Sequence, residues 1–135
     1  MRAPVPAEPV ASSAYLAVKA TDGLFRLGAT RAGQSIELVV DTGATGTILT
    51  AADAQALGVG TRGGEEIELL TANGIATMRR VELSGLVVAG RHLPTLRVAI
   101  APAGLAHSLL GQDALSRLGR ITIDHDRLEI GSLKH

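Results

Sequence analysis

The sequence contains no cysteine and no tryptophan, and Phe25 and Tyr15 are its only other aromatic residues. Without thiols there can be no disulfide, no thiolate nucleophile and no cysteine-ligated zinc, while the redox compartment stays open. Without aromatic bulk the core must be built from Leu, Val, Ile and Ala, in a chain of 135 residues that is 46% hydrophobic. Neither sign of charge is in excess, since 13 Lys and Arg balance 13 Asp and Glu. That balance argues against nucleic acid or an anionic membrane surface as the main partner. No apolar run reaches the length of a membrane span, and Met1 to Ser13 has no continuous apolar core of the signal-peptide kind. Serine-hydrolase signatures are missing too: there is no Gly-x-Ser-x-Gly elbow and no evident Ser/His/Asp arrangement.

What is present reads as one domain preceded by an arm. Residues 1–13, with Pro4, Pro6 and Pro9, form a Pro/Ala-rich linker; residues 14–135 have the short segments and frequent turns of an all-β domain. Strands are expected at Ala14–Ala20, Leu24–Thr30, Ser35–Val40, Thr47–Leu49, Glu65–Thr71, Ile75–Leu83, Leu86–Ala89 and Leu96–Ala101. Asn73-Gly74 between two of them is the strongest hairpin signal. Ile121–Asp124 and Arg127–Ile130 form a closing hairpin around His125. Thr50 is a helix N-cap with Asp53 three residues on as a capping box, Ala51–Leu57 is the helix, and Gly58 is its C-terminal cap. Gln112–Leu118 is a second helix, stopped at Gly119.

Most of the candidate chemistry dissolves on inspection. Gly58-Val59-Gly60-Thr61-Arg62-Gly63 matches the dinucleotide fingerprint, but a helix precedes it and a strand follows, the reverse of what pyrophosphate binding needs. Asp124-His125-Asp126 has ligand residue types, yet adjacent residues on a hairpin turn seldom converge on one ion. His92, His107 and His135 are isolated. Glu65-Glu66-Ile67-Glu68 and Arg79-Arg80 are solvated strand faces. No metal or cofactor is expected.

The stretch Leu38-Val39-Val40-Asp41-Thr42-Gly43-Ala44-Thr45 is different. An apolar strand buried on both faces runs into a carboxylate, which must be exposed, paired or put to use. Gly43 allows a tight turn that a Cβ would obstruct, and Thr42 adds a hydroxyl able to tie that turn to a neighbour. One reading is a strand ending in an Asx turn. The other is a catalytic carboxylate. A single carboxylate of ordinary pKa is a weak catalyst, but two about 3 Å apart share a proton and so offer an acid and a base together; the handling of a peptide bond by such a dyad is the standard example. The chain has one Asp-Thr-Gly, so a second would have to come from a second copy across a two-fold axis.

Taken with two further elements, this stretch resembles the retropepsin-like aspartic proteases, and in particular their single-domain bacterial group. The elements are Val39-Val40-Asp41-Thr42-Gly43-Ala44-Thr45, the hairpin at Thr71-Ala72-Asn73-Gly74 where the family has its flap, and Leu109-Leu110-Gly111-Gln112-Asp113-Ala114-Leu115, which is similar to the segment that lies against the catalytic turn. The likeness runs from about Gly23 to Ile130. It implies a closed acid-protease barrel with a flap hairpin and one or two short helices. It also implies a homodimeric aspartic endopeptidase acting on extended peptides. Asp41, Thr42 and Gly43 would be catalytic. Ala44, Thr71, Ala72, Asn73, Gly74, Ile75 and Leu110 would meet substrate, with Ala44, Ile75 and Leu110 as pocket walls. Thr45, Leu109 and Gly111 would support the site, and a side chain at Gly111 should clash.

The chain departs from the family in three places. Retroviral members pair an acidic residue and an arginine where this chain has Thr45 and Gln112. The flap has no aromatic residue. Arg127 to His135 extends beyond the usual retroviral end, as an intersubunit strand or a lid. A module that binds peptides or dimerises without cleaving is the alternative function. The Pro/Ala-rich start resembles the stalk after a membrane anchor in bacterial members, which points to the periplasm, with the cytoplasm as the alternative.

Overall fold

Short β-branched and leucine-rich runs punctuated by glycine turns give twelve strands and two short helices in the computed structural model, which describes residues 14–60, 64–71, 74–102 and 104–131. In chain order these are β1 (Tyr15–Val18), β2 (Arg26–Arg31), β3 (Gln34–Val40), β4 (Ile48–Leu49), α1 (Ala51–Ala56), β5 (Glu65–Thr71), β6 (Gly74–Leu83), β7 (Val87–Val88), β8 (Arg91–His92), β9 (Leu96–Ile100), β10 (Leu109–Leu110), α2 (Gln112–Leu115), β11 (Ile121–Asp124) and β12 (Arg127–Ile130). Nine strands form one sheet in the order β5-β6-β9-β4-β10-β3-β2-β7-β8, and β1-β12-β11 form a smaller one. The match to a mostly β architecture with two short helices is as the sequence predicts. The expected arm at residues 1–13 lies outside the described residues.

Two clusters fill the interior. The larger takes Leu27, Leu38, Leu49, Leu83, Leu110, Leu118, Leu128 and Ile130, all fully buried, and joins the two sheets. The smaller lies under the β5–β6 hairpin, with Met78, Ala99 and Ala101 buried and Ile48, Ile67, Leu69, Ala76 and Leu105 packed against them. This is the aliphatic core that the shortage of aromatic residues demands.

Local signals mostly hold. Thr50 caps α1 by accepting from Asp53 N at 3.0 Å. Gly58 has φ +75°, and Gly58 N and Val59 N donate to Gln55 O and Ala54 O at 3.0 and 2.8 Å, the paired bonds of a Schellman cap. The capping box is not closed, however. Asp53 turns its carboxylate to the Ser108 hydroxyl at 2.5 Å, and Ser108 Oγ accepts from Thr50 N at 2.9 Å, so Ser108 stands between the two groups the box would join.

Several boundaries differ from expectation. The first strand is Tyr15–Val18 rather than Ala14–Ala20, and α2 ends at Leu115 rather than Leu118. Beyond Leu115 the backbone tightens: Arg117 N and Leu118 N donate to Ala114 O and Leu115 O, three residues back. The strand β8 was missed because Arg91-His92 looks polar. Arg91 is nevertheless 1% exposed; its guanidinium donates to Ala89 O at 3.3 Å and Gly131 O at 3.0 Å. Burial pushes its pKa below the usual arginine value.

Candidate active site

The site grows from the middle of the large sheet. β3 lies between β2, antiparallel, and β10, parallel, with Leu109 and Leu110 beside Val39 and Val40. Leu38 and Val39 are buried, as a strand enclosed on both faces should be. The last backbone bonds of the strand are Val39 N to Ser108 O, Val40 N to Phe25 O and Asp41 N to Leu110 O, at 2.9, 2.9 and 3.0 Å. The chain then turns. Asp41 Oδ1 accepts from Gly43 N at 3.0 Å and Asp41 O accepts from Ala44 N at 3.1 Å. The Asx turn is therefore real, and it also fixes the rotation of the carboxylate. Asp41 and Ala44 are half-buried; Thr42, Gly43 and Thr45 are exposed.

Two glycines behave differently from each other. A Cβ on Gly43 would rest 3.5 Å from Asp41 Oδ1, an ordinary contact, and Gly43 is not among the residues with positive φ. The expectation that a Cβ would obstruct this turn is corrected: among the described residues nothing within the subunit requires glycine there. Gly111 is the opposite case. A Cβ there would overlap the Gly46 carbonyl oxygen and lie 2.6 Å from its carbon and 2.9 Å from its nitrogen.

The start of α2 holds the turn group by group. Gln112 Nε2 donates to Thr42 O at 2.9 Å and Gln112 N to Ala44 O at 2.8 Å. Asp113 N donates to Thr45 O at 3.1 Å, and the Asp113 carboxylate accepts from Thr47 Oγ1 at 2.8 Å and Thr47 N at 3.2 Å. Thr47 Oγ1 in turn accepts from Gly111 N at 3.2 Å. Sequence reasoning overlooked Gly46, Thr47 and Asp113. A Gly-Thr shortly after the Asp-Thr-Gly and an acid two residues after Gly111 were visible, but no local pattern joins residues 66 apart.

The predicted pocket walls need one clear correction. Leu110 is 0% exposed within the main core and cannot meet substrate, whereas Leu109, on the opposite face of the same strand, is half-buried. Thr71 pairs with Gly74 at the end of the β5–β6 hairpin, and the expected contacts at Ala72 and Asn73 lie outside the described residues. Ile75 stands opposite Leu70 in register; the two are 70% and 84% exposed. The inward face of the hairpin carries Ile67, Leu69, Ala76 and Met78 instead, over Ile48 and Leu105. Beside Thr42 runs a groove of about 410 Å³, lined by Thr42, Gln112, Leu115, Ser116, Gly119, Ile121 and Ile123. Among the described residues no three His, Asp or Glu side chains gather as metal ligands.

This geometry, a half-buried carboxylate on a clamped turn in a sheet that also carries an aliphatic hairpin, can be set beside known proteins. The family described as "gag-polyprotein putative aspartyl protease" matches residues 28–117. Among solved structures, a retropepsin-like aspartic protease from Rickettsia conorii is similar with a TM-score of 0.76 and 30% identity, over 87% of this chain and 98% of that one. Comparison with curated protein sequences gives no match.

Proposed function

The chain belongs to the retropepsin-like aspartic protease family, and from that premise we propose that it is an endopeptidase whose active site forms when two copies bring their Asp41 turns together. The observation that carries the reading is the state of the turn. Its backbone is tied into its own subunit by Gln112 and Asp113, yet Thr42 and Gly43 face outward. A surface loop needs no such bracing, while a carboxylate that must meet its twin at about 3 Å does.

In the dyad one Asp41 carboxylate is ionised and the other protonated. The ionised one takes a proton from a bound water as the water oxygen attacks the substrate carbonyl carbon. The protonated one gives its proton to the carbonyl oxygen, producing a neutral gem-diol. Collapse breaks the C–N bond: a diol proton returns to one carboxylate, and the proton held by the other goes to the leaving amine. Peptide lies extended beneath the β5–β6 hairpin and adds a strand to it. Leu109, Ile48, Leu69 and Ala76 offer aliphatic walls. Gly43, free of internal need for a missing side chain, leaves room for the substrate backbone.

Asp41→Asn tests this directly. The variant should fold and associate as the parent does and lose hydrolysis of a peptide library. A variant that cleaves at the parental rate overturns the proposal. A parent that binds peptides but cleaves none, at any pH, makes the chain a non-cleaving member. For an active parent, kcat/KM against pH should be bell-shaped, with two apparent values belonging to the pair.

A further inference from the structure

We infer that Ser108 and Asp53 are positioning residues for Asp41: the bond between their hydroxyl and carboxylate seats β10, and β10 seats the strand that ends in Asp41. The inference rests on the reading of Asp41 as half of a shared dyad and adds the residues that hold that half in place.

β10 has only two residues, yet it lies between β3 and β4 in the middle of the nine-stranded sheet. Ser108 O accepts from Val39 N at 2.9 Å and Leu110 O accepts from Asp41 N at 3.0 Å, so where this segment sits decides where Asp41 sits. So short a strand pairs too little to fix its own position. Buried hydroxyls hold it from both ends. Beyond Leu110, Gly111 N donates to Thr47 Oγ1 at 3.2 Å, and Thr47 Oγ1 donates to Asp113 Oδ1 at 2.8 Å. Before Leu109, Ser108 Oγ accepts from Thr50 N at 2.9 Å and donates to Asp53 Oδ2 at 2.5 Å. Thr47 and Ser108 are each 1% exposed.

The two ends are one device used twice. Thr47, β4, the Thr50 cap and α1 with Asp53 in its first turn form one unit; Ser108, β10, the Gly111 cap and α2 with Asp113 in its first turn form the other. Each hydroxyl accepts from the cap N–H of the opposite unit and donates to the opposite acid. The backbone repeats the pattern. Ala99 N donates to Thr47 O and Ala101 N to Leu49 O at 3.1 and 2.9 Å, as Val39 N does to Ser108 O and Asp41 N to Leu110 O. Ala101 therefore occupies in one half the place that Asp41 holds in the other. It is a methyl buried in the small cluster, whereas Asp41 carries a carboxylate. The Ser108–Asp53 bond thus supports the strand that leads to the acid, and the Thr47–Asp113 bond closes the turn beyond it.

A hydroxyl bonded to a carboxylate is directional and, being charge-assisted, is among the stronger hydrogen bonds. Removing either partner leaves the other without its bond in a place closed to water. Loss of the Ser108 hydroxyl strips both the Asp53 carboxylate and the Thr50 N–H of a partner and frees the 108–110 segment to shift along β3. Leu110 O passes that shift to Asp41. A dyad needs its carboxylates about 3 Å apart, and a displacement of about 1 Å is enough to cost about 100-fold in rate. The β5–β6 hairpin is untouched by the change, so the loss should fall on kcat rather than on KM.

The test compares Ser108→Ala, Asp53→Ala, their double variant and Asp53→Asn with a stability control, Val88→Ala, which opens a cavity in β7, beyond β2 from the strand of Asp41. Ser108→Ala and Asp53→Ala should each lower kcat about tenfold or more with KM within about twofold. Each should also draw together the two apparent pKa values of the kcat/KM profile, because carboxylates farther apart couple less. The double variant should fall no more than about twofold below the worse single one, since both remove one bond. Asp53→Asn, whose amide oxygen still accepts from Ser108, should stay within about threefold of the parent. Val88→Ala should lower the melting temperature and leave kcat and the profile unchanged. An active parent whose Ser108→Ala keeps kcat and both apparent values overturns the inference and leaves the protease standing. So does an Asp53→Asn as impaired as Asp53→Ala, or a Val88→Ala that moves the profile equally. Amide exchange reads the same clasp without hydrolysis: Asp41 N–H should exchange faster in Ser108→Ala than in Val88→Ala. Faster exchange there in a parent that cleaves nothing retains the clasp and removes the protease; unchanged exchange overturns the inference whether or not the parent cleaves.

Discussion

The two sides of the proposed peptide channel are built on opposite principles. The floor, Asp41 to Thr47, lies between β3 and α2, with its polar backbone met by Leu110, Gln112 and Asp113. The roof, the outer half of the β5–β6 hairpin, has no third strand beside it among the described residues, and only its inner face, with Leu69 and Ala76, packs into the small cluster. β6 pairs with β9 from Arg79 to Leu83, but Ile75 to Met78 pair with β5 alone, and Leu70 and Ile75 stand in solvent. A two-stranded ribbon is marginal without further packing. The contrast fits a division of labour in which the acid is held still and the cover opens to admit a chain.

Each prediction presses on one side of that contrast. The largest effect should come from Gly111→Ala. Its new Cβ would meet Gly46 backbone, which cannot rotate away, so thermal or denaturant unfolding should show a loss of about 3 kcal/mol or more, with hydrolysis lost in parallel. A silent Gly111→Ala would mean that the floor is soft. Next is Asp113→Ala, which strips two acceptors from Thr47 in a part-buried place. A loss of about 2–3 kcal/mol is expected, with Asp113→Asn losing less because an amide oxygen keeps one of the bonds.

On the roof, Leu70→Ser/Ile75→Ser should change stability by no more than about 0.5 kcal/mol. A cost comparable to Asp113→Ala would show that the outer face of the hairpin is also packed and would erase the comparison. The smallest effect lies outside both regions. Asp22 is held at a pKa of about 2, below its ordinary 3.8, first by its hydrogen bonds from Arg26 and then by the Leu24 N–H. A depressed carboxylate stabilises the fold above its ordinary value, and that contribution fades as pH falls through about 2. An NMR titration should find the Asp22 midpoint there and see it rise in Arg26→Gln, while the floor and roof stay unchanged.

How much of this could be read from the chain depended on range. The Thr50 cap, the Gly58 cap and the hairpin turn at residues 125–126 are local, and local chemistry specifies them. The Asp41 turn was legible because its residues are consecutive. Which of Leu109 and Leu110 faces the core was not: adjacent strand residues point to opposite faces, and two leucines look alike until the neighbouring strand is known. The face that Ile75 takes was hidden for the same reason, since it depends on the pairing with Leu70. Arg91 was unreadable because a buried arginine needs carbonyls supplied from elsewhere, here by Ala89 and Gly131. The Thr47–Asp113 bonds and the Gly46–Gly111 contact join distant segments, and neither end carries a pattern that names the other.

The clamp on the Asp41 turn has a consequence in time as well as in space. Gln112 reaches a carbonyl 70 residues earlier in the chain, and Asp113 reaches Thr47 across 66. A ribosome adding about 5–20 residues per second therefore exposes Asp41 seconds before the groups that orient it exist. During synthesis the aspartate is an ordinary side chain on an unfinished sheet. Because the pairings that finish it are distant in sequence, the last step should also be slow. The order of residues along the chain thus acts as a delay: the half-site matures only after nearly all of the domain has been made.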